Sequence, residues 1–285
     1  MGDDRPGLRA RPVTLSGRDV RELLDRHGIS PSRALGQHFV VDPNTVRRVV
    51  RLAGVQPGDR VVEIGAGLGS LTLALVEVGA RVTAVERDRR LVPVLREVLA
   101  GAGAEATVVE GDALVLDWRT LCPAVEGPWA LVANLPYNVA TPLVLDVLEH
   151  VPVVERMLVM VQREVAERLA AGPGSPAYGI PSVKVAYRAT AEVVAVVPPT
   201  VFLPRPKVDS ALVRFARRPR PATDADPAVV FSLVERAFGQ RRKMLRRSLA
   251  GMVPEEAFHA AGVAPDARPE SLGIDDWGRL AGALA

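Results

Sequence analysis

The chain has 285 residues, of which 48% are hydrophobic and 24% charged, and its formal net charge of +3 points only weakly to an anionic partner. No apolar run approaches the roughly eighteen residues of a membrane-spanning helix, and the polar N-terminal segment lacks the apolar stretch of a secretion signal. The lone Cys122 excludes an intrachain disulfide and a cysteine-based metal site, which favours a cytoplasmic protein.

Apolar runs alternate with segments of helical periodicity from residue 60 onward. Strands are predicted at 60–64, 81–86, 106–109, 129–133 and 156–161, and helices at 70–78, 88–99, 142–148 and 162–170. Because parallel strands need crossover connections, this alternation predicts an α/β fold with a mostly parallel sheet covered on both faces.

The pattern changes after residue 190. Two more strands are predicted at 192–197 and 211–216, and the proline-rich connection between them favours an antiparallel hairpin. Residues 217–227 are rich in Pro, Arg, Asp and Ala and are interpreted as a linker. Short helices are then predicted at 229–238, 241–250, 254–261 and 269–280. They indicate a small helical domain.

A glycine cluster follows the first predicted strand. Gly65, Gly67 and Gly69 occupy alternate positions, and glycine is needed where the chain turns sharply and its backbone approaches a ligand closely. The pattern predicts a nucleotide site at the carboxyl end of this strand. The dinucleotide fingerprint requires glycine at the sixth position, where this chain has Ser70, which argues against a nicotinamide or flavin enzyme.

Two acidic residues follow the next two predicted strands. Glu86 lies 21 positions after Gly65, where a carboxylate can accept hydrogen bonds from both ribose hydroxyls, and Asp112 is placed to meet the adenine of the same ligand. Either acid alone is more often a solvated loop residue. Together with the glycine loop, at the ends of three consecutive strands, they resemble class I S-adenosylmethionine methyltransferases.

The fourth predicted strand ends in Asn134-Leu135-Pro136-Tyr137. An amine conjugated with a purine is a poor nucleophile, so its site must align it with the donor methyl and accept its hydrogens. The Asn134 side-chain carbonyl and the Leu135 backbone carbonyl can accept them, while Pro136 stiffens the turn and Tyr137 offers a face for an extruded base. A plain turn with Tyr137 in the core is the alternative. The tetrapeptide is similar to the signature of methyltransferases acting on exocyclic amines.

Five segments of the sequence, taken together, are specific enough to indicate a single protein family. They are Leu-Gly-Gln-His-Phe at 35–39, Asn-Leu-Pro-Tyr-Asn at 134–138, Val-Gln-Arg-Glu-Val-Ala-Glu-Arg at 161–168, Phe-Leu-Pro-Arg-Pro-Lys-Val-Asp-Ser at 202–210 and Phe-Gly-Gln-Arg-Arg-Lys at 238–243. With them, the chain from about residue 35 to residue 249 resembles the ribosomal RNA small-subunit adenine dimethyltransferases, also called KsgA or RsmA. That family often has Asn where this chain has His38 and Leu where it has Val40.

The resemblance implies S-adenosylmethionine as cofactor and no metal. It implies transfer of two methyl groups onto each of two adjacent adenines near the 3′ end of small-subunit (16S) ribosomal RNA. Phe202 is a candidate second aromatic wall against the base, and plain core packing of its ring is the alternative. The expected cofactor contacts are His38, Val40, Gly65, Glu86, Asp112 and Asn134, to which the glycine loop adds Gly67.

Basic residues are concentrated between residues 201 and 250, which contain twelve basic and four acidic residues. We expect RNA contacts from Arg205 and Lys207 at the pocket rim. We also expect them from the basic segment, residues 241–247, through Arg241, Arg242, Lys243, Arg246 and Arg247. If this segment is helical, its like charges lie four residues apart and RNA phosphate relieves their repulsion. A merely solvated helix face is the alternative.

The sequence therefore predicts a Rossmann-like class I methyltransferase domain with a seven-stranded sheet at 35–217. An N-terminal extension at 1–34 precedes it, and a small all-α domain at 218–285 follows. We expect a cytoplasmic monomer that acts in ribosome biogenesis on RNA within a 30S assembly intermediate. The alternatives are a large-subunit (23S) adenine methylase of the macrolide-resistance type, a DNA adenine methylase, and a non-catalytic assembly or transcription factor on the same scaffold.

Overall fold

The computed structural model describes residues 14–32, 34–136 and 139–284. The strands in these ranges, numbered in chain order, are β1 (Phe39–Val40), β2 (Arg60–Ile64), β3 (Arg81–Glu86), β4 (Ala106–Glu110), β5 (Trp129–Asn134), β6 (Val154–Gln162), β7 (Ala189–Val197), β8 (Phe202–Leu203) and β9 (Ser210–Arg217). The helices are α1 (Gly17–Arg26), α2 (Pro43–Ala53), α3 (Ser70–Glu77), α4 (Leu91–Gly101), α5 (Trp118–Leu121), α6 (Ala140–His150), α7 (Arg163–Leu169), α8 (Ile180–Arg188), α9 (Pro227–Phe238), α10 (Leu245–Ser248), α11 (Glu255–Ala261) and α12 (Ile274–Gly282). Among these described helices, none is long and apolar enough to cross a membrane.

Seven strands form one sheet in the order β4-β3-β2-β5-β6-β9-β7, and β1 pairs with β8 in a separate two-stranded ladder. β2 pairs in parallel with β3 and β5, and β3 pairs in parallel with β4, whereas β9 is antiparallel to β6. This mixed sheet with its helices confirms the predicted seven-stranded α/β fold. The carboxyl ends of the four parallel strands meet at one sheet edge, where the predicted site residues occur.

Contacts between Cα atoms divide the chain into two compact units. The first comprises Met1–Pro136 and Val197–Asp209, and the second comprises Tyr137–Val196 and Ser210–Ala285. This grouping follows spatial contacts and differs from boundaries drawn along the sequence. The boundaries that we predict at residues 34/35 and 217/218 stay predictions.

The central strand β2 of the first unit is buried on both faces. In β2, Val61 and Val62 are fully buried and Ile64 is nearly so, which is the near-continuous apolar pattern of a central parallel strand. The helix α2 is capped at its N-terminus by Asp42, whose carboxylate accepts the Asn44 and Thr45 N–H groups, and at its C-terminus by a left-handed Gly54. The helices α1 and α2 are absent from our sequence prediction.

The second unit has its own helical core. Buried side chains from α8, α9, α11 and α12 pack around Trp277, which is 0% exposed. The Tyr178 hydroxyl is also buried and donates a 2.8 Å hydrogen bond to the Leu272 carbonyl. At the end of β9, the Arg217 guanidinium donates to several main-chain carbonyls at and beyond the C-terminal end of α6, including those of Val147 and Leu148. The first residue of the predicted linker is thus tied to this unit.

The predicted helix at 241–250 is wrong. The helix α9 ends at Phe238, and only Leu245–Ser248 is helical in this stretch. The N–H groups of Leu245 and Arg246 donate to the carbonyls of Ala267 and Pro265, at 2.9 Å each, instead of to carbonyls four residues earlier. The i,i+4 pairing of like charges that we infer from a continuous helix is therefore not formed. The predicted helix at 269–280 is likewise interrupted, because α12 begins only after Gly273.

Candidate cofactor and substrate site

The glycine loop between β2 and α3 adopts a backbone conformation that favours glycine. Gly65 and Gly67 have φ angles of +76° and +58°. A Cβ on Gly65 would lie 3.5 Å from the Asn134 carbonyl oxygen, and one on Gly67 would lie 3.1 Å from the Phe39 ring. The positive φ angles favour glycine at both positions, and at Gly67 an added Cβ would also crowd the Phe39 ring. The same distances place the loop against β1 and the end of β5.

Glu86, at the end of β3, is buried and holds the glycine loop. Its Oε2 accepts the Gly67 N–H at 2.7 Å, and its Oε1 accepts the Asp88 N–H at 2.7 Å. Burial raises the pKa of this carboxyl, although hydrogen bonds from the backbone of Asp88, Gly67 and Arg87 oppose the shift. A carboxylate has about four acceptor positions, so these contacts do not use all of them. The remaining acceptor capacity suits a ribose hydroxyl.

The predicted adenine-side acid Asp112 follows β4 and is fixed by two contacts. Its Oδ1 accepts the Leu114 N–H at 3.1 Å, and its Oδ2 lies 3.1 Å from Nη1 of Arg87. The preceding Gly111 donates its N–H to the main-chain carbonyl of Glu86 at 2.9 Å. The two predicted nucleoside acids are therefore on neighbouring, hydrogen-bonded loops.

The side chain of Asn134 is oriented by the segment before β1. Its Nδ2 donates a 3.0 Å hydrogen bond to the main-chain carbonyl of His38. Because the amide nitrogen is used in this way, Oδ1 is the atom left to accept a hydrogen from a substrate amine. The Leu135 side chain is 1% exposed, so only its backbone can serve a ligand. The predicted stacking residue Tyr137 lies outside the described residues.

His38 and Val40 join the N-terminal segment to the loop that contains Phe202. Val40 is paired with Phe202 in the β1–β8 ladder, and the His38 Nδ1 lies 2.7 Å from the Pro204 carbonyl oxygen. Phe202 is only 4% exposed. This burial accords with the core-packing alternative, and stacking of Phe202 on a base stays a prediction.

Gln37 and Asp88 form a second link between the N-terminal segment and the cofactor loops. The Gln37 Nε2 donates to Asp88 Oδ2 at 2.9 Å, and its Oε1 accepts the Ser32 N–H at 2.7 Å. The Arg90 guanidinium beside Asp88 lowers the pKa of that carboxyl to about 2. Our sequence reasoning assigns no site role to either residue. The one sequence feature that could have indicated them is their position, since Gln37 lies inside the 35–39 motif and Asp88 lies two residues after Glu86.

Glu63 is a buried acid beneath the glycine loop that our sequence reasoning also misses. It is 1% exposed, and its Oε2 accepts a 2.6 Å hydrogen bond from the Thr72 hydroxyl. Burial raises the pKa of Glu63 to about 8, and the nearby Glu86 adds to the increase. The carboxyl group of Glu63 is therefore largely protonated at neutral pH.

The predicted RNA-binding residues are mostly exposed. In the first unit, Arg205 and Lys207 project into solvent. In the second unit, Arg241 differs from the rest of the basic segment. Its Nη2 donates to the Pro176 carbonyl at 3.2 Å, and its Nε lies 3.7 Å from Glu270 Oε2. The other basic residues of the segment are exposed: Arg242, Lys243, Arg246 and Arg247.

The structure brings together most of the residues predicted to contact the cofactor. Hydrogen bonds connect Glu86 to Gly67 and His38 to Asn134. Gly65 lies next to the main-chain carbonyl of Asn134. All of them belong to the first unit. They lie in loops after the parallel strands and in the segment around β1, and the Asn134 amide is oriented by His38.

Comparison with known proteins yields one consistent result. A sequence profile described as "Ribosomal RNA adenine dimethylase" matches residues 30–285. The chain is 54% identical over 275 residues to "Ribosomal RNA small subunit methyltransferase A" of Kineococcus radiotolerans, covering 94% of this chain and 90% of that protein. It is 51% identical to the protein of the same name in Thermobifida fusca, with 94% and 95% covered.

Two solved structures are also similar. The crystal structure of the 23S rRNA methyltransferase ErmE has a TM-score of 0.68 and 30% identity, covering 86% of this chain and 99% of that chain. A dimethyladenosine transferase from Plasmodium falciparum has a TM-score of 0.71 and 22% identity, with 84% and 94% covered, and supports the fold alone.

Proposed function

The chain belongs to the ribosomal RNA adenine dimethylase family, and on that premise we propose that the loops after β2, β3, β4 and β5 form its active site. The chain is an S-adenosylmethionine-dependent rRNA adenine dimethyltransferase. Its substrate is the exocyclic amine of adenine in small-subunit (16S) ribosomal RNA, which it dimethylates at two adjacent adenines near the 3′ end.

The residues after β2, β3 and β4 fit the cofactor. Glu86 retains acceptor capacity for the ribose, and Asp112, on the loop hydrogen-bonded to the Glu86 main chain, is assigned to the adenine. Gly65 and Gly67 allow the positive φ angles of the loop that follows β2. S-adenosylmethionine supplies an electrophilic methyl group on a sulfonium sulfur. We assign His38 and Val40 to the same site because they border the glycine loop and Asn134.

The observation that carries the proposed chemistry is the fixed amide of Asn134. Because its Nδ2 is bound to the His38 carbonyl, its Oδ1 accepts one amine hydrogen, and the Leu135 main-chain carbonyl accepts the other. These two acceptors turn the amine lone pair out of the purine plane and toward the methyl donor. Pro136 stiffens this turn. The proton lost from the amine passes to water. The monomethylated amine keeps one hydrogen, so only one of the two acceptors is used in the second methylation, and the pocket must admit the first methyl group.

RNA is held by exposed basic residues. We assign Arg205 and Lys207 to the pocket rim and Arg242, Lys243, Arg246 and Arg247 to phosphate contacts. Arg241 remains in the set, but its contacts with Pro176 and Glu270 indicate that it mainly anchors the segment. We propose that the enzyme acts as a cytoplasmic monomer on RNA within a 30S assembly intermediate.

The test is methylation of ribosomal subunits purified from a strain that lacks the enzyme. With labelled S-adenosylmethionine, we expect label in small subunits, at two adjacent adenines that each gain two methyl groups when mapped by mass spectrometry. Label in large subunits alone would favour the macrolide-resistance alternative, which the similarity to ErmE brings into consideration. Failure of the chain to bind S-adenosylmethionine would favour a non-catalytic role.

A further inference from the structure

His38 connects two parts of the proposed site through its side chain and its backbone. Its Nδ1 lies 2.7 Å from the Pro204 carbonyl oxygen, and its own carbonyl accepts the 3.0 Å hydrogen bond from Asn134 Nδ2. Since a carbonyl oxygen can only accept, Nδ1 carries the proton and donates to Pro204. One residue thus joins the loop before Arg205 to the amide that faces the substrate amine.

Pro204 follows the end of the β1–β8 ladder, whose register pairs Phe39 with Leu203 and Val40 with Phe202. Proline has no N–H and cannot donate to the carbonyl of His38, and that carbonyl accepts the hydrogen bond from Asn134. The His38 imidazole donates to the Pro204 carbonyl and so extends the connection between these two segments beyond the ladder.

This geometry sets a chemical requirement at position 38. The donor must be bonded to Cγ, where the imidazole has Nδ1 and where an asparagine amide has Nδ2. An aspartate has nearly the same shape as asparagine, but it carries only acceptor oxygens at pH 7 and would repel the Pro204 carbonyl.

We propose that His38 is a positioning residue for methyl transfer, whose imidazole, anchored on Pro204, fixes the main-chain carbonyl that orients Asn134. The inference rests on the proposed function of Asn134. It assigns to the side chain a role separate from any contact of the His38 backbone with the cofactor. It also couples the placement of the 202–207 loop to the orientation of the catalytic amide.

The experiment compares the isosteric variants His38→Asn and His38→Asp. The rate of a single round of methyl transfer is measured with saturating S-adenosylmethionine and small subunits, and cofactor affinity is measured by calorimetry. We expect His38→Asp to lower the rate by roughly 100-fold, because a small misplacement of Asn134 is costly, with a much smaller change in cofactor affinity. His38→Asn should restore the rate to within about threefold of the unmodified enzyme. His27→Asp, on the surface beside Glu97, is the control and should leave the rate unchanged.

A second measurement separates positioning from general structural damage. In an Asn134→Ala background the amide is absent, so adding His38→Asp should lower the residual rate little further. A full additional loss in that background would overturn the proposal. So would an unchanged rate in His38→Asp, or a loss in His38→Asn as large as that in His38→Asp. Failure of the unmodified enzyme to methylate small subunits would instead refute the proposed function.

Discussion

The backbone N–H of Gly67 donates a 2.7 Å hydrogen bond to Oε2 of Glu86. The acid proposed to bind the ribose therefore also holds the glycine loop in place. A strong hydrogen bond from the end of β3 to the turn after β2 fixes the distance between two parts of the cofactor site before any ligand binds.

Replacement of Glu86 should weaken cofactor binding. In Glu86→Gln the side chain keeps one acceptor oxygen, and its NH₂ group faces a backbone N–H that needs an acceptor. We expect S-adenosylmethionine affinity, measured by calorimetry, to fall at least about tenfold. Glu110→Gln is the matched control, because Glu110 is the register neighbour of Glu86 on β4 and pairs with the exposed Arg89. Equal affinities in the two variants would contradict the assignment of Glu86.

Replacing Gly67 by alanine should destabilise the protein by more than the strain of its positive φ angle, because the new Cβ also contacts Phe39. Gly67 and Gly28 have φ angles of +58° and +60°, but an added Cβ meets the Phe39 ring only at Gly67 and nothing within 4 Å at Gly28. Each alanine variant carries the left-handed penalty of about 1–2 kcal/mol. We expect Gly67→Ala to lower the free energy of unfolding by about 1–3 kcal/mol more than Gly28→Ala in urea titrations. Equal losses of unfolding free energy in the two variants would show that the Phe39 ring moves aside without an energetic penalty.

The buried Glu63 should make stability fall as pH rises. Its pKa is about 8 in the folded protein, against an ordinary value of 4.5, so between these values the unfolded chain has released a proton that the folded chain retains. In this window the free energy of unfolding decreases by up to about 1.4 kcal/mol per pH unit from this group. Glu63→Gln mimics the protonated form and should flatten the decline between about pH 5 and pH 8.

The measurement for Glu63 is urea unfolding across this pH range without cofactor. Glu126→Gln, which changes an exposed acid paired with Arg60, is the control and should preserve the slope of the unmodified protein. A slope in Glu63→Gln as steep as in the unmodified protein would mean that Glu63 is already ionised in the folded state.

The residues of the basic segment should have two separate roles: the exposed ones contact RNA phosphates, and Arg241 anchors the segment to the protein. Substituting Arg242, Lys243 or Arg246 by Gln should weaken RNA binding uniformly and reduce the slope of log affinity against log salt by roughly 0.7–0.9 each. Arg241→Gln should instead lower thermal stability, because it loses the contacts with Pro176 and Glu270. An unchanged salt slope in all three exposed variants would count against this segment as an RNA contact.

Much of the fold could be predicted because its signals are local. The strands β2 and β3 agree with the predicted bounds, since each is an apolar run that ends at a glycine or an acid. The predicted cofactor residues follow these strands, and parallel strands bring their carboxyl ends together. The sequence also carries local signals for the missed helices, in the Ser16–Asp19 capping box of α1 and in Asp42-Pro43 before α2.

The remaining features depend on contacts between distant parts of the chain. The bond between His38 and Pro204 joins residues 166 positions apart, and no periodicity indicates it. The basic segment has the composition of a helix, but the N–H groups of Leu245 and Arg246 bind carbonyls of the 265–267 loop. The protonation of Glu63 arises from burial under the glycine loop, which is a property of packing.

The most direct test of the proposed active site is the rate of methyl transfer by Asn134→Ala. Unmodified and variant enzymes are compared in a single turnover with saturating labelled S-adenosylmethionine and small subunits, and RNA affinity is measured in parallel. We predict a loss of at least about 100-fold in rate with RNA affinity largely unchanged, because the oriented acceptor of the amine hydrogen is gone. A rate close to that of the unmodified enzyme would contradict the role of Asn134 and the alignment of amine and methyl that depends on it.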